Sequence, residues 1–210
     1  MTEEKFEQLE NTMKNPSAQR VIAAGRELFF MNGFEGATTD ALAKAAGVSK
    51  TTIYKHFGSM EGVFSAVVMQ SGQEITGGVP QTPDTEEAFW ESLQQWGEQL
   101  LSFISSAPAA NIYRLMLENA RDHGTLAHGF YNDAFEPTHK DLTARIVYGQ
   151  QQGYLRKDID PRHAAEIYVG ALEGLAFSRL SLRLTDDPYP DVTSRVVATL
   201  SLFRHGAMAT

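Results

Sequence analysis

An all-α fold is predicted by this sequence on three grounds. Apolar residues recur at helical spacing along most of the chain. Few β-branched alternating runs occur, and no Asn-Gly or Asp-Gly pair separates two strand-like segments. Helix starts and stops also follow one another in order, with Asn15-Pro16, Thr38, Ser49 and Asp160-Pro161 as openings and Gly33, Gly47 and Gly153 as endings. With 42% hydrophobic and 21% charged residues in 210, a packed core is expected and wholesale disorder is excluded.

The first helix opens at Asn15 as N-cap with Pro16 as its first residue. Val21, Ile22, Ala24, Gly25, Leu28 and Phe29 form its apolar stripe, and Asn32 with Gly33 ends it. Upstream, Phe6, Leu9 and Met13 keep helical spacing, which suggests a short N-terminal helix. Thr38 caps a second short helix that stops at Gly47; Ser49 caps a third that runs to about His56; a fourth starts near Met60. Gly72, Gly77, Gly78, Pro80 and Pro83 then interrupt the pattern, so a loop near 77–84 is the expected joint between two parts. Beyond it, helices are expected near 85–105, 109–121, 125–152 with a break near Pro137, 161–184 and 189–206. No internal repeat is evident.

Cysteine is absent, which fits a reducing compartment and excludes disulfides, thiolate metal sites and cysteine nucleophiles. The start of the chain, MTEEKFEQLENTMKN, is acidic where a signal peptide needs a basic start and an apolar stretch, and no apolar run is long enough to span a bilayer. A cytoplasmic protein is expected. The net charge of -8 opposes nucleic-acid binding, which depends on neutralising phosphates, but the charge is unevenly distributed. Residues 14–60 hold Lys14, Arg20, Arg26, Lys44, Lys50 and Lys55 against Glu27, Glu35 and Asp40, whereas Glu3, Glu4, Glu7 and Glu10 face only Lys5 in the arm before them. The 150 residues after Met60 are acidic overall, so any DNA contact is confined to the first third.

That basic block contains Thr39-Asp40-Ala41-Leu42-Ala43-Lys44-Ala45-Ala46-Gly47-Val48-Ser49-Lys50-Thr51-Thr52-Ile53-Tyr54, which fits two short helices meeting at a tight turn. Ala43 is small where the helices cross, Gly47 supplies the positive φ of the turn, and Leu42, Val48 and Ile53 close a miniature core. Lys50, Thr51 and Thr52 lie in the first turn of the third helix, the part of a recognition helix that meets base edges in the major groove. Tyr54, Lys55 and His56 offer donors to phosphates, as do the free N–H groups of the second helix at Thr38 and Thr39. The plainer alternative is a helical hairpin within a larger fold, with Tyr54 covering the core. Phe57 is expected in the core.

The stretch Phe29 to Glu61, with Leu28-Phe29, Gly33-Phe34, Thr38-Thr39, Leu42-Ala43, Ala46-Gly47-Val48-Ser49, Ile53-Tyr54-Lys55-His56-Phe57 and Ser59, resembles the DNA-binding domain of TetR/AcrR-type regulators. The resemblance covers the first quarter to third of the chain. It extends beyond that only in helical character, in acidity and in the joint from Gly153-Tyr154-Leu155-Arg156 to Asp160-Pro161. It implies an N-terminal helix-turn-helix three-helix DNA-binding domain, a connecting helix, and a larger helical ligand-binding and dimerisation domain. The boundaries read as an acidic arm at 1–14, the helix-turn-helix domain at 15–59, the connecting helix at 60–76 and the larger domain at 77–210. Family members commonly carry a lysine at the start of the fourth helix; here Met60 stands there, and no phosphate contact is carried over.

In the second part, Phe89, Trp90, Trp96, Phe103, Tyr113, Met116, Phe130, Tyr131 and Phe135 cluster in sequence. Side chains of this kind line apolar cavities or, more ordinarily, fill cores. Trp90, Trp96, Phe103, Tyr113, Met116, Phe130 and Phe135 are the candidates for an effector site, whose existence is implied by the resemblance. Tyr168, Gly170, Ala171, Gly174, Leu175, Phe177, Leu180 and Leu184, then Val192, Val196, Val197, Leu200, Leu202 and Phe203, give the last two helices apolar faces suited to a homodimer through about 161–206 or to an internal core. Gly170 and Gly174 would allow close helix approach.

His123, His128, Asp133 and His139 lack a metal-binding i, i+4 pair, so neither metal nor cofactor is expected. Asp84, Glu86, Glu87 and Glu91 suit a helix N-terminus. The functional expectation is a repressor that binds a palindromic operator as a dimer and is released by a small, apolar or aromatic effector. The alternatives are an all-helical enzyme, for which no nucleophile elbow or phosphate loop is present, and a ligand-independent activator.

Overall fold

The computed structural model describes residues 12–76, 82–106, 113, 117, 128, 129, 131–185 and 187–208. Its helices are α1 (Pro16–Gly36), α2 (Thr39–Ala46), α3 (Lys50–Phe57), α4 (Met60–Thr76), α5 (Glu86–Ser105), α6 (Glu136–Gln152), α7 (Pro161–Ser181) and α8 (Val192–Ala207). Among the described residues the only β-type pairing is an isolated bridge between Leu155 and Met208. The chain forms two compact units. One is Met1–Gly72 with Asn111–Phe135, the other Gln73–Ala110 with Glu136–Thr210, so the units interleave in sequence and the boundary falls inside α4. The expected N-terminal helix through Phe6 and Leu9, most of the expected 109–121 helix, and residues 77–81 of the expected joint lie outside the described residues.

In the first unit α1, α2 and α3 each begin where a side chain can satisfy free N–H groups. The Asn15 carboxamide accepts from Ser17 N at 2.9 Å, with Pro16 in the first turn. At Gly33 (φ 72°, ψ 178°) the chain leaves helical geometry where the sequence places the stop, and one short turn to Gly36 follows. Thr38 Oγ1 accepts from Ala41 N at 3.2 Å and Ser49 Oγ from Thr52 N at 3.1 Å, so α2 and α3 start at the expected caps. The interior is built from Ala18, Val21, Ile22, Leu42, Ile53, Val63, Phe64 and Val67, all nearly inaccessible to solvent. Phe29, Phe34 and Phe64 form an aromatic trio with ring centroids 5.3 to 5.8 Å apart.

Gly47 closes α2 in the left-handed region (φ 63°, ψ 41°), and a Cβ there would meet nothing within 4 Å. Glycine is therefore required by backbone conformation alone. Gly47→Ala is expected to lower stability by about 1–2 kcal/mol, read as a shift in urea midpoint at unchanged slope. An unaltered midpoint would show that the turn does not need this conformation.

The second unit packs α5, α6, α7 and α8 around Phe89, Leu93, Trp96, Leu142, Ile146, Tyr168, Leu172 and Val196. Gly97 lets the helices approach, since a Cβ on it would lie 3.0 Å from Tyr168 Oη and 3.1 Å from Val196 Cγ1. The Tyr168 hydroxyl donates to Leu93 O at 3.0 Å, which removes a buried orphan. Asp160 caps α7 by accepting from His163 N at 2.8 Å, with Pro161 in the first turn. The end of α8 is tied to the α6–α7 connection by Arg156 N donating to Ala207 O at 2.9 Å.

Three expectations have their outcome in these helices. The break expected near Pro137 falls one residue before it, where a π-helical turn at Tyr131–Phe135 gives way to α6 at Glu136, with Pro137 in the first turn of α6. The uninterrupted helix expected at 161–184 is broken at Gly174 (φ 50°, ψ -151°). Nor do Gly170 and Gly174 mark a crossing with another helix of this chain. Gly170 is exposed with open space at its Cβ, and Gly174 makes room for the Arg195 guanidinium, which donates to the carbonyls of Leu172 and Ala171 beside the break.

Candidate nucleic-acid interface

A recognition surface needs a rigid frame on one side and unsatisfied donors on the other. The frame comes from buried side chains: Leu42 and Ala46 on α2, with Ile53 and Phe57 on α3, face the interior. Phe57 is thus in the core as expected. Two polar contacts add to it. Arg20 Nε donates to Ala46 O at 3.2 Å and satisfies a carbonyl at the end of α2. His56 Nε2 lies 3.2 Å from Ser17 Oγ, which is itself hydrogen-bonded to Asn15 Oδ1 at 2.6 Å. His56 is half-buried and ties α3 to α1. Its position in the sequence beside Lys55 suggested a phosphate donor, whereas the partner that engages it here lies 39 residues away.

The opposite face of α3 is open. Lys50, Thr51, Tyr54 and Lys55 are exposed and Thr52 is half-buried, its Oγ1 within 2.8 Å of Ser49 Oγ. Tyr54 is 49% exposed, so it does not simply cover the core. Among the described residues the Lys55 ammonium meets no carboxylate, while Lys50 Nζ lies 2.6 Å from Asp40 Oδ1. Thr39 Oγ1 is 3.3 Å from Tyr54 Oη. The two α3 side chains four residues apart, Lys50 and Tyr54, thus each meet a residue of the first turn of α2. Thr38 and Thr39 sit at the N-terminus of α2, whose free N–H groups and positive dipole end favour an anion. The surface suits a polyanion that presents both phosphates and groove-edge acceptors.

The effector candidates have separate fates. Trp96 is fully buried, its indole N–H donating to Asp141 Oδ2 at 2.9 Å and its ring 6.4 Å from Tyr168, so it is part of the second unit's core. Phe103 packs half-buried against that core. Trp90 borders a groove of about 570 Å³ between α5 and α8, where Arg204 lies 5.0 Å above its ring and Glu86 accepts its N–H at 3.1 Å. Glu86 also lies 3.5 Å from Arg204, so this acidic residue does more than charge the helix start. Tyr113 and Phe135, both in the first unit, have ring centroids 6.2 Å apart. Met116 and Phe130 lie outside the described residues.

Sequence reasoning missed the partners of these side chains. Asp40 and Arg20 entered it only as charges to be counted, and Ser17 not at all; the signal that could have found Asp40 is its place in the first turn of the helix that crosses α3. The last two helices carry Ile167, Leu175, Val197 and Leu202 open to solvent. No helix among the described residues is long and apolar enough to cross a membrane, and no group of three or more His, Asp or Glu among them could hold a metal ion.

Residues 21–67 match the family model described as bacterial regulatory proteins, tetR family, and residues 91–201 match that of the AefR-like transcriptional repressor, C-terminal domain. The HTH-type transcriptional regulator SrpR of Pseudomonas putida is 24% identical over 77% of this chain and 74% of its own. The structure of a TetR transcriptional regulator from Agrobacterium tumefaciens has a TM-score of 0.75 at 23% identity, covering 90% of this chain and 94% of that one. The flavonoid-responsive regulator FrrA has a TM-score of 0.70 at 25% identity, covering 91% of this chain and 97% of its own.

Proposed function

The chain belongs to the TetR family of bacterial regulators, and from that premise we propose that it is a dimeric repressor released from a palindromic operator by a small effector. It is a DNA-binding transcriptional regulator and not an enzyme. The observation that carries the finer reading is the exposed face of α3 on a frame fixed by two caps, two cross-helix contacts and a buried core. Lys50, Thr51 and Thr52 meet base edges, and Tyr54 and Lys55 meet phosphates together with the helix start at Thr38 and Thr39. His56 serves mainly to hold α3 in register. Two copies of α3 then occupy successive major grooves, about 34 Å or a multiple apart.

The match of residues 91–201 to a repressor's C-terminal domain supports the repressive sign. Trp90 at the edge of the groove between α5 and α8 supports an apolar or aromatic effector, and FrrA, similar in fold, is named for its response to flavonoids. Release requires only that the effector bind better to a state whose recognition helices are wrongly spaced. The decisive experiment selects bound duplexes from a random pool and then screens small molecules for release. Enrichment of an inverted repeat is expected, and absence of any enriched sequence would defeat the proposal. A promoter reporter settles the sign, since output must fall on binding.

Lys55→Ala is expected to weaken binding about tenfold on every duplex and to reduce the slope of log K against log salt by about 0.9 per bound subunit. An unchanged slope would remove Lys55 from the phosphate contacts.

A further inference from the structure

We propose that Asp40 is a specificity-determining residue, which holds Lys50 away from the phosphates of non-specific DNA and aimed at a cognate base edge, to which the ammonium donates without leaving the carboxylate. A carboxylate is an unexpected occupant of a surface that meets a polyanion. Asp40 stands on the first turn of α2, 76% exposed at its side chain, and its Oδ1 is 2.6 Å from Nζ of Lys50, the first residue of α3. One turn further along α3, Tyr54 Oη is 3.3 Å from Thr39 Oγ1. Consecutive residues of α2 thus engage the two α3 side chains best placed to reach DNA.

Paired with Asp40, the Lys50 ammonium adds no net charge to the DNA-facing surface. The attraction of an unmatched phosphate backbone is diffuse and sequence-independent, and Lys50 must give up a direct ion pair to join it. A guanine edge presents O6 and N7 as two fixed acceptors to a lysine in the major groove. The ammonium carries three N–H donors, so it can donate to both acceptors while still paired with Asp40. Non-specific complexes therefore form with one phosphate-neutralising cation fewer per subunit than they would without Asp40. This inference rests on α3 being the helix that enters the groove.

The test compares the full-length protein with Asp40→Asn, Lys50→Met and the double variant, on a duplex of unrelated sequence and on the selected operator, across a salt series. Asp40→Asn should tighten binding to the unrelated duplex about two- to fivefold and steepen its log K–log salt slope by about 0.9 per bound subunit. Operator affinity should change by less than about twofold, so the specificity ratio falls. In the Lys50→Met background the substitution should leave the slope unchanged. Equal tightening in both backgrounds would show that Asp40 merely repels phosphate, and no tightening in either would show that it does not restrain Lys50; each overturns the proposal. Asp40→Ser repeats the comparison should the asparagine variant unfold. Failure of the groove reading is separable, because then neither Lys50→Met nor Lys55→Ala would weaken duplex binding.

Discussion

Replacing Arg145 with methionine is expected to lower the unfolding free energy by about 3–5 kcal/mol. Arg145 is 1% exposed, and its Nε donates to Asp141 Oδ2 at 2.9 Å, the same oxygen that accepts the Trp96 indole N–H at 2.9 Å. Leu142 and Ile146, on the same helix and fully buried, make the surroundings apolar. Removing the cation takes away a charged partner of a carboxylate whose side chain is only 9% exposed, and breaking such a pair costs far more than its own net attraction. The double variant Arg145→Met with Asp141→Leu should recover much of the loss, because a well-packed apolar pair often matches a buried ion pair. A residual deficit of about 1–3 kcal/mol is expected from the Trp96 N–H, which then has no acceptor. Urea unfolding of both single variants and the double variant closes the cycle. A single-variant loss below about 1 kcal/mol would mean that the pair behaves as a surface contact.

This cluster also marks where the sequence stops being readable. Caps and stops are local devices, so Asn15, Thr38, Ser49 and Asp160 announce the helices they open, and Gly33, Gly47 and Gly153, all at positive φ, mark the ends. The fold class and the exposed face of α3 follow from that punctuation and from apolar spacing. Trp96 and Trp90 illustrate the limit. Both are aromatic residues on α5, six positions apart, yet one hydrogen-bonds to Asp141, 45 residues away, and the other lies under Arg204 at the edge of a groove.

Such partners are set by how helices pack, and nothing in a local window encodes them. Asp40 is a nearer case: it is ten residues from Lys50, and only the crossing of α2 with α3 turns that separation into an ion pair. Gly174 is another. Glycine spacing suggested a helix crossing, but the backbone breaks there and Arg195, from the next helix, donates to the carbonyls freed by the break.

Introducing glutamate at both Leu175 and Leu202 should yield a folded monomer that has lost most of its operator affinity. Leu175 on α7 and Leu202 on α8 are 74% and 79% exposed, so neither contributes to the interior of its own subunit and a charge there leaves the second unit's core intact. Large aliphatic side chains open to water on adjacent helices suit a surface that a second copy covers. The chain carries a net charge of -8, and each subunit offers DNA only a few cations, with Lys50 held by Asp40 and Met60 in place of a charge at the start of α4.

On the proposed reading, one such subunit is expected to bind weakly. Two joined subunits would bind the second half-site at high effective concentration, which multiplies affinity by about 10²–10⁴ without a new contact. The double variant should therefore lose operator affinity by a factor in that range, while light scattering reports a mass near 23.2 kDa and the thermal midpoint stays close to that of the parent. Binding to a single half-site should be nearly unaffected. A variant that remains dimeric places the interface elsewhere, and a monomer that still binds the full operator tightly removes the need for pairing.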